Sequence, residues 1–229
     1  MEYSTQSLHE KLTSFMYRVY GLMGVAFSCT ALTAYYIAQH PTLYKPLMKS
    51  PGIFFVVLLV QFALVIAITL LMPKLNNALA TLLFFVYAVS MGITSSVVFL
   101  VYDMTSIYIA FLVSAGMFIA MALYGYFTRA DLSSVGNMVL MLFVGLMIGL
   151  FVNLFLKSDR FDIFLSALGV IIFTALTAYD TQRIKYIGRL MLVEGQQARK
   201  VAIFGALTLY LDFINLFLYM LNLTGRRKD

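Results

Sequence analysis

Polar residues are so sparse along this chain that it divides into seven long apolar runs. The first covers about Tyr17 to Ala38 and ends at Gln39-His40-Pro41. The second covers about Gly52 to Met72 and is stopped by Pro73. The third follows from about Ala78 to Tyr102, the fourth from about Ile107 to Phe127, and the fifth from about Val135 to Leu156. The sixth begins near Phe161; no Pro or Gly follows Asp180 until Gly188, so it is expected to run past Asp180 to about Ile187. The seventh spans about Val201 to Leu223. Each is about 20 residues or more, enough to cross ~30 Å of hydrocarbon at ~1.5 Å per residue. Most connectors are short, which makes sequential helices antiparallel neighbours. The expected architecture is an all-α integral membrane protein of seven transmembrane helices. It forms a single transmembrane domain over residues 1–229, which includes a short cytoplasmic N-terminal tail at about 1–16.

The seventh run departs from the others. Gly205, Thr208, Asp212, Asn215, Tyr219 and Asn222 recur at alternating steps of three and four residues. On a helix this gathers its polar side chains and its one glycine on a single stripe. A carboxylate at that depth costs about 2.5 kcal/mol or more unless it faces protein, water or a partner. The helix is therefore expected to be interior, and Asp212 to have a companion.

Composition agrees with the pattern: 62% of residues are hydrophobic and 11% are charged, against about 25% charged in a soluble domain. The net charge of +6 does not point to nucleic acid, because the basic residues sit in connectors and at the C-terminus, where they orient the chain and meet lipid headgroups. If all seven runs cross, the N-terminal side holds Lys11, Arg18, Lys74, Arg129, Arg183, Lys185, Arg189, Arg199 and Lys200. The other side then holds Lys45, Lys49, Lys157, Arg160, Arg226, Arg227 and Lys228. If the last run turns back, its three terminal basic residues change sides. Either way the N-terminus is expected in the cytoplasm, and seven full crossings are favoured. The single Cys29 excludes an internal disulfide. His9 and His40 lie outside the runs, which excludes histidine catalysis within the membrane. Gly145 and Gly149 form a GxxxG match, read here as intramolecular packing.

Most acidic residues lie in tails or connectors. Only Asp180 and Asp212 follow helical, mostly apolar sequence with no loop signal close by. Asp180 sits about 10–11 Å inside the expected helix end and Asp212 about 16 Å inside its own, counted from the same connector at ~1.5 Å per residue. The two can lie at similar levels on helices adjacent in the chain. Two carboxyls that close in a poorly hydrated place cannot both ionise easily, so one keeps its proton and hydrogen-bonds the other. Such a pair is a pH-sensitive element, and when ionised a hard-oxygen ligand set for Ca²⁺. The plainer alternative pairs Asp180 with Arg183 at a solvated helix end, with Asp212 bonded to Asn215 or Thr208.

Thr177-Ala178-Tyr179-Asp180-Thr181-Gln182 and the run from Gly205 to Phe217 resemble the signature ends of the Bax inhibitor-1 family, in its bacterial branch. Leu123 to Thr128, followed by Asp131-Leu132-Ser133, resembles that branch too. The resemblance implies seven helices with the last enclosed by the other six. It also implies a di-aspartyl pH sensor in a calcium-leak pathway, a role carried onto Asp180 and Asp212. Bacterial relatives have a basic residue at the end of the second helix that latches the sixth-helix aspartate. Met72-Pro73-Lys74 is the nearest match here, which makes Lys74 the candidate latch, with Arg183 as substitute.

The expected function is a pH-gated, Ca²⁺-permeable leak channel, with Thr208, Asn215 and Asn222 lining the pathway. It has no cofactor, and Ca²⁺ enters only as permeant or transiently bound ion at Asp180 and Asp212. Its partners are the lipid bilayer, Ca²⁺ and protons, with no nucleic acid. Its expected place is the bacterial inner membrane. The alternatives are a non-conducting membrane regulator or a proton-coupled transporter. An intramembrane aspartyl protease is less favoured, because bulky Leu209-Tyr210-Leu211 stands where such enzymes open the helix with glycines.

Overall fold

The computed structural model describes residues 5–71, 74–193 and 199–228. Among these the chain forms eight helices: α1 (Thr5–Gln39), α2 (Pro41–Lys49), α3 (Pro51–Leu71), α4 (Asn77–Val101), α5 (Met104–Phe127), α6 (Ser133–Leu156), α7 (Asp159–Val193) and α8 (Arg199–Thr224). Six of them (α1 and α4 to α8) are long and apolar enough to cross a membrane. The apolar stretch of α3, Phe55–Leu71, is shorter.

The helix count differs from the seven expected because α2 occupies what the sequence gives as a connector. Pro41 sits at its start, where a missing N–H costs nothing and the fixed φ suits a helix. α1 likewise begins at Thr5, inside the expected tail. α7 runs six residues beyond the Ile187 expected from the glycine signal. Gly188 does not end it: a Cβ there would collide with the ring of Phe15, so the glycine is a packing site rather than a stop.

The chain divides into two compact units. The first comprises residues up to Tyr102, Ile187–Leu207 and the last two residues. Here α1 packs on α4: Thr30 Oγ1 donates to the Ala88 carbonyl at 2.8 Å. A Cβ at Gly92 would lie 2.6 Å from Thr33 Cβ. Gln61 Nε2 on α3 donates to the Ser90 carbonyl at 2.8 Å and to Thr94 Oγ1 at 3.0 Å. Polar side chains thus bridge these helices where lipid offers no alternative partner.

The second unit comprises Asp103–Tyr186 and Thr208–Arg227. Phe111 and Phe118 of α5 meet Phe213 of α8 edge-on. Phe173 of α7 stacks on Tyr219 of α8, and Phe143 of α6 meets Phe173. Gly149 of α6 packs against Leu165 of α7, as expected of intramolecular packing, whereas Gly145 faces open space and takes no part in it. α8 is the most buried of the six candidate spans, at 61% of its apolar window, and α6 the least, at 11%. The polar stripe belongs to the buried helix and the uniformly apolar surface to the exposed one.

Candidate functional site

Asp180 and Asp212 each lie 13 residues from the helix end that faces the α7–α8 connector, counted from Val193 and Arg199. That is about 20 Å of helix on both sides. The levels match more closely than the sequence estimate, because both helices extend further toward the connector. Asp180 is 8% exposed and Asp212 4%. Their carboxyl groups are hydrogen-bonded side chain to side chain. A hydrogen bond between two carboxyls needs a proton on one of them, since an ionised carboxylate only accepts. Arg183, one turn beyond Asp180 and exposed, is close enough to act on it electrostatically. Asp212 Oδ2 is buried with no hydrogen-bond partner, as are Thr181 Oγ1 and Ser114 Oγ. Lys74 is exposed in the turn after α3 and belongs to the first unit. Met72 and Pro73 lie outside the described residues.

The rest of the α8 stripe is divided in its bonding. Thr208 is half-buried. Asn215 Nδ2 donates to the Leu211 carbonyl of its own helix at 2.8 Å. Asn222 Nδ2 instead crosses to α7, donating to Asp162 Oδ2 and Ser166 Oγ, both at 2.8 Å. Asp162, in the first turn of α7, is therefore part of the contact with α8. The signal was present: Asp162, Ser166 and Gly169 follow steps of four and three, a second polar stripe facing the first. At Gly169 a Cβ would lie 2.6 Å from the Tyr219 ring. Asp162 also lines a cavity of about 340 Å³ with Met147, Leu150, Phe151, Asn153 and Leu154 of α6.

Two further residues escaped the sequence. Gln182 Nε2 donates to the Ala130 carbonyl at 2.8 Å, and its Oε1 accepts from the Leu132 N–H at 3.0 Å. Lys185 lies inside α7, within the expected extension of the run to Ile187. Its Nζ donates to the Tyr126 carbonyl at 2.6 Å and lies 4.7 Å from the centre of the Tyr126 ring. Gln182 thus binds the α5–α6 connector and Lys185 the last turn of α5. In that connector Asp131 Oδ1 accepts from the Ser133 N–H at 2.9 Å. The Ser133 hydroxyl and N–H hold Asp131 below the usual carboxylate value.

Among the described residues no group of three or more His, Cys, Asp or Glu gathers. The oxygens offered to a cation by Asp180 and Asp212 come from two carboxyls that here hold each other.

The family model described as "Inhibitor of apoptosis-promoting Bax1" matches residues 12–229. The inner membrane protein YbhL of Escherichia coli strain K12 is 42% identical over 95% of this chain and 93% of its own length. An uncharacterized protein of Borreliella burgdorferi is 37% identical over 98% of both chains. The uncharacterized protein RP147 of Rickettsia prowazekii is 35% identical over 98% of this chain and 94% of its own.

Proposed function

The chain belongs to the Bax inhibitor-1 family, and from that premise we propose that it is a pH-sensitive, Ca²⁺-permeable leak channel gated by the Asp180–Asp212 pair. The observation that carries this reading is the buried hydrogen bond between the two carboxyls. It exists only while one proton is shared, so the contact between α7 and α8 depends on proton activity. The unpartnered Asp212 Oδ2 is less costly on a neutral acid than on an anion. The shared proton accordingly sits on Asp212, and the charge on Asp180 beside Arg183, which takes the latch role in place of Lys74. Removing the proton sets two buried negative charges against each other, a state the closed contact cannot hold. The two ionised carboxylates then present hard oxygens to a passing Ca²⁺. Thr208, Asn215 and Asn222 extend the polar track along α8. In this reading α3 is the seventh crossing and α8 the enclosed helix. The N-terminus is cytoplasmic, and the bacterial inner membrane is the site of action, as the printed name of the Escherichia coli relative says of that protein.

The test is Ca²⁺ entry into liposomes across a pH series, for the native chain, Asp180→Asn and Asp212→Asn. The native protein is expected to conduct with a pH-dependent rate, and either asparagine to abolish that dependence. A pH response that survives both substitutions refutes the gate. Absence of flux from the native protein at every pH refutes the channel and favours a non-conducting regulator.

A further inference from the structure

The turn of α7 that carries Asp180 is held at four points by the end of α5, the start of α6 and the connector between them. A Cβ at Gly125 would collide with the Ala178 carbonyl, and one at Gly136 with the Tyr179 ring, so both glycines let the backbones approach. Two residues past Asp180, the Gln182 amide closes on the connector through both its oxygen and its nitrogen. Five residues past it, the Lys185 ammonium caps the last turn of α5 at the Tyr126 carbonyl and lies over the Tyr126 ring. These bonds satisfy backbone groups that the end of α5 and the start of α6 leave without helical partners. They also restrain the Asp180 turn through groups that do not touch either carboxyl. By contrast, Asp212 has a buried oxygen with no hydrogen bond.

We propose that Gln182 and Lys185 are positioning residues for the carboxyl pair: they clamp the Asp180 turn to the α5–α6 connector and to the last turn of α5, so that Asp180 is the fixed member and Asp212 the one that moves. This rests on the reading of the pair as a proton-dependent contact. The charged and titratable groups that act on Asp180 are Asp212 from α8 and Arg183 on α7 itself. Arg129 and Asp131 on the connector are exposed. Lys185 is half-buried and directed at Tyr126, so its role is mechanical rather than that of a second latch on Asp180.

The test uses the full chain in lipid vesicles with three readouts. Hydrogen exchange at the Leu132 amide reports whether the clamp holds. The infrared carbonyl band of the protonated carboxyl, identified by its loss in Asp212→Asn, reports titration of the pair without any transport. Ca²⁺ flux reports the gate. In Gln182→Leu and Lys185→Met the midpoint of the infrared band is expected to move by about half a pH unit or more, a roughly threefold change in proton affinity. In Gln182→Leu the Leu132 amide should also exchange faster. Lys185→Arg keeps a cationic donor for the Tyr126 carbonyl and ring and should restore the native midpoint. If Gln182→Leu does not fold, Gln182→Met carries the same expectation, because it too removes both the acceptor for Leu132 and the donor to Ala130 without adding a charge. A midpoint that stays in place while the Leu132 amide is released overturns the proposal, and so does unchanged exchange at that amide. A band that shifts as expected in a native chain that carries no Ca²⁺ sinks the channel and leaves the clamp standing.

Discussion

A methyl group at Gly125 has nowhere to go, because the obstacle is the Ala178 backbone carbonyl, one turn of helix from nothing that can rotate away. Gly116, on the same helix, faces open space. Gly125→Ala is therefore expected to destabilise the protein by about 1–3 kcal/mol, the usual cost of overpacking. Gly116→Ala should be neutral or slightly stabilising, since alanine is the better helix former. Thermal unfolding of the two variants in detergent checks this, and equal melting temperatures would refute the close approach of α5 and α7. The same contrast explains which single residues the sequence reveals. Asp180 and Asp212 stand out because a carboxyl in an apolar run is costly without a partner, and the acid census leaves only those two. Asp162 is as well engaged, yet it stands five residues from Lys157 and two from Arg160, where solvation is the economical reading. Gln182 and Lys185 bind backbone atoms, which every residue has, so no side-chain pattern points to their partners.

Along α8 the polar residues do two different jobs, although their spacing makes them look alike. Asn215 bonds its own helix, whereas Asn222 ties α8 to Asp162 and Ser166 of α7. Replacing Asn222 with Leu removes a bond to a carboxylate, worth about 1.5–3 kcal/mol. Replacing Asn215 with Leu removes no tie between helices, so stability should change by less than about 0.5 kcal/mol, while Ca²⁺ flux falls if Asn215 faces the pathway. Denaturation curves and flux measured on both variants separate the roles. Equal losses of stability would mean that the stripe is uniform and that the α7–α8 contact is not localised at Asn222. The existence of the long helices was legible because apolar length alone defines them. Their ends were not: α7 passes through Gly188, since a glycine can serve close packing as well as termination, and α2 forms in a connector because Pro41 starts a helix as readily as it stops one. The carboxyl levels, about 10–11 and 16 Å by sequence and about 20 Å each in the structure, shifted by those same misplaced ends.

For the molecule as a whole, the question left by charge counting was whether the last helix crosses fully or turns back. α8 is one unbroken helix of 26 residues, about 39 Å at 1.5 Å per residue, so it is long enough to reach the far side. Within the second unit the C-terminal end of α8 is placed by its contacts. Asn222 meets the first turns of α7, and beyond it the Asp103 N–H, just ahead of α5, donates to the Arg226 carbonyl at 3.2 Å. Further along α7, Gln182 meets the α5–α6 connector and Lys185 the last turn of α5. Arg129 and Arg227 therefore mark opposite ends of this unit. By the positive-inside rule the basic residues Arg129, Arg183 and Lys185 of this unit lead us to expect the Arg129 end in the cytoplasm. In a Cys29→Ser background, an impermeant maleimide added to intact cells is expected to label Arg227→Cys. Arg129→Cys should be labelled only after the membrane is permeabilised. The reverse pattern would invert the orientation, and labelling of both from one side would mean that α8 does not cross. The orientation matters to the gate: a cytoplasmic Arg129 end puts the carboxyl pair in the inner half of the membrane, where cytoplasmic rather than external pH governs it. Flux in sealed vesicles of known orientation should then follow the pH on the Arg129 side, and a response only to pH on the Arg227 side would contradict that placement.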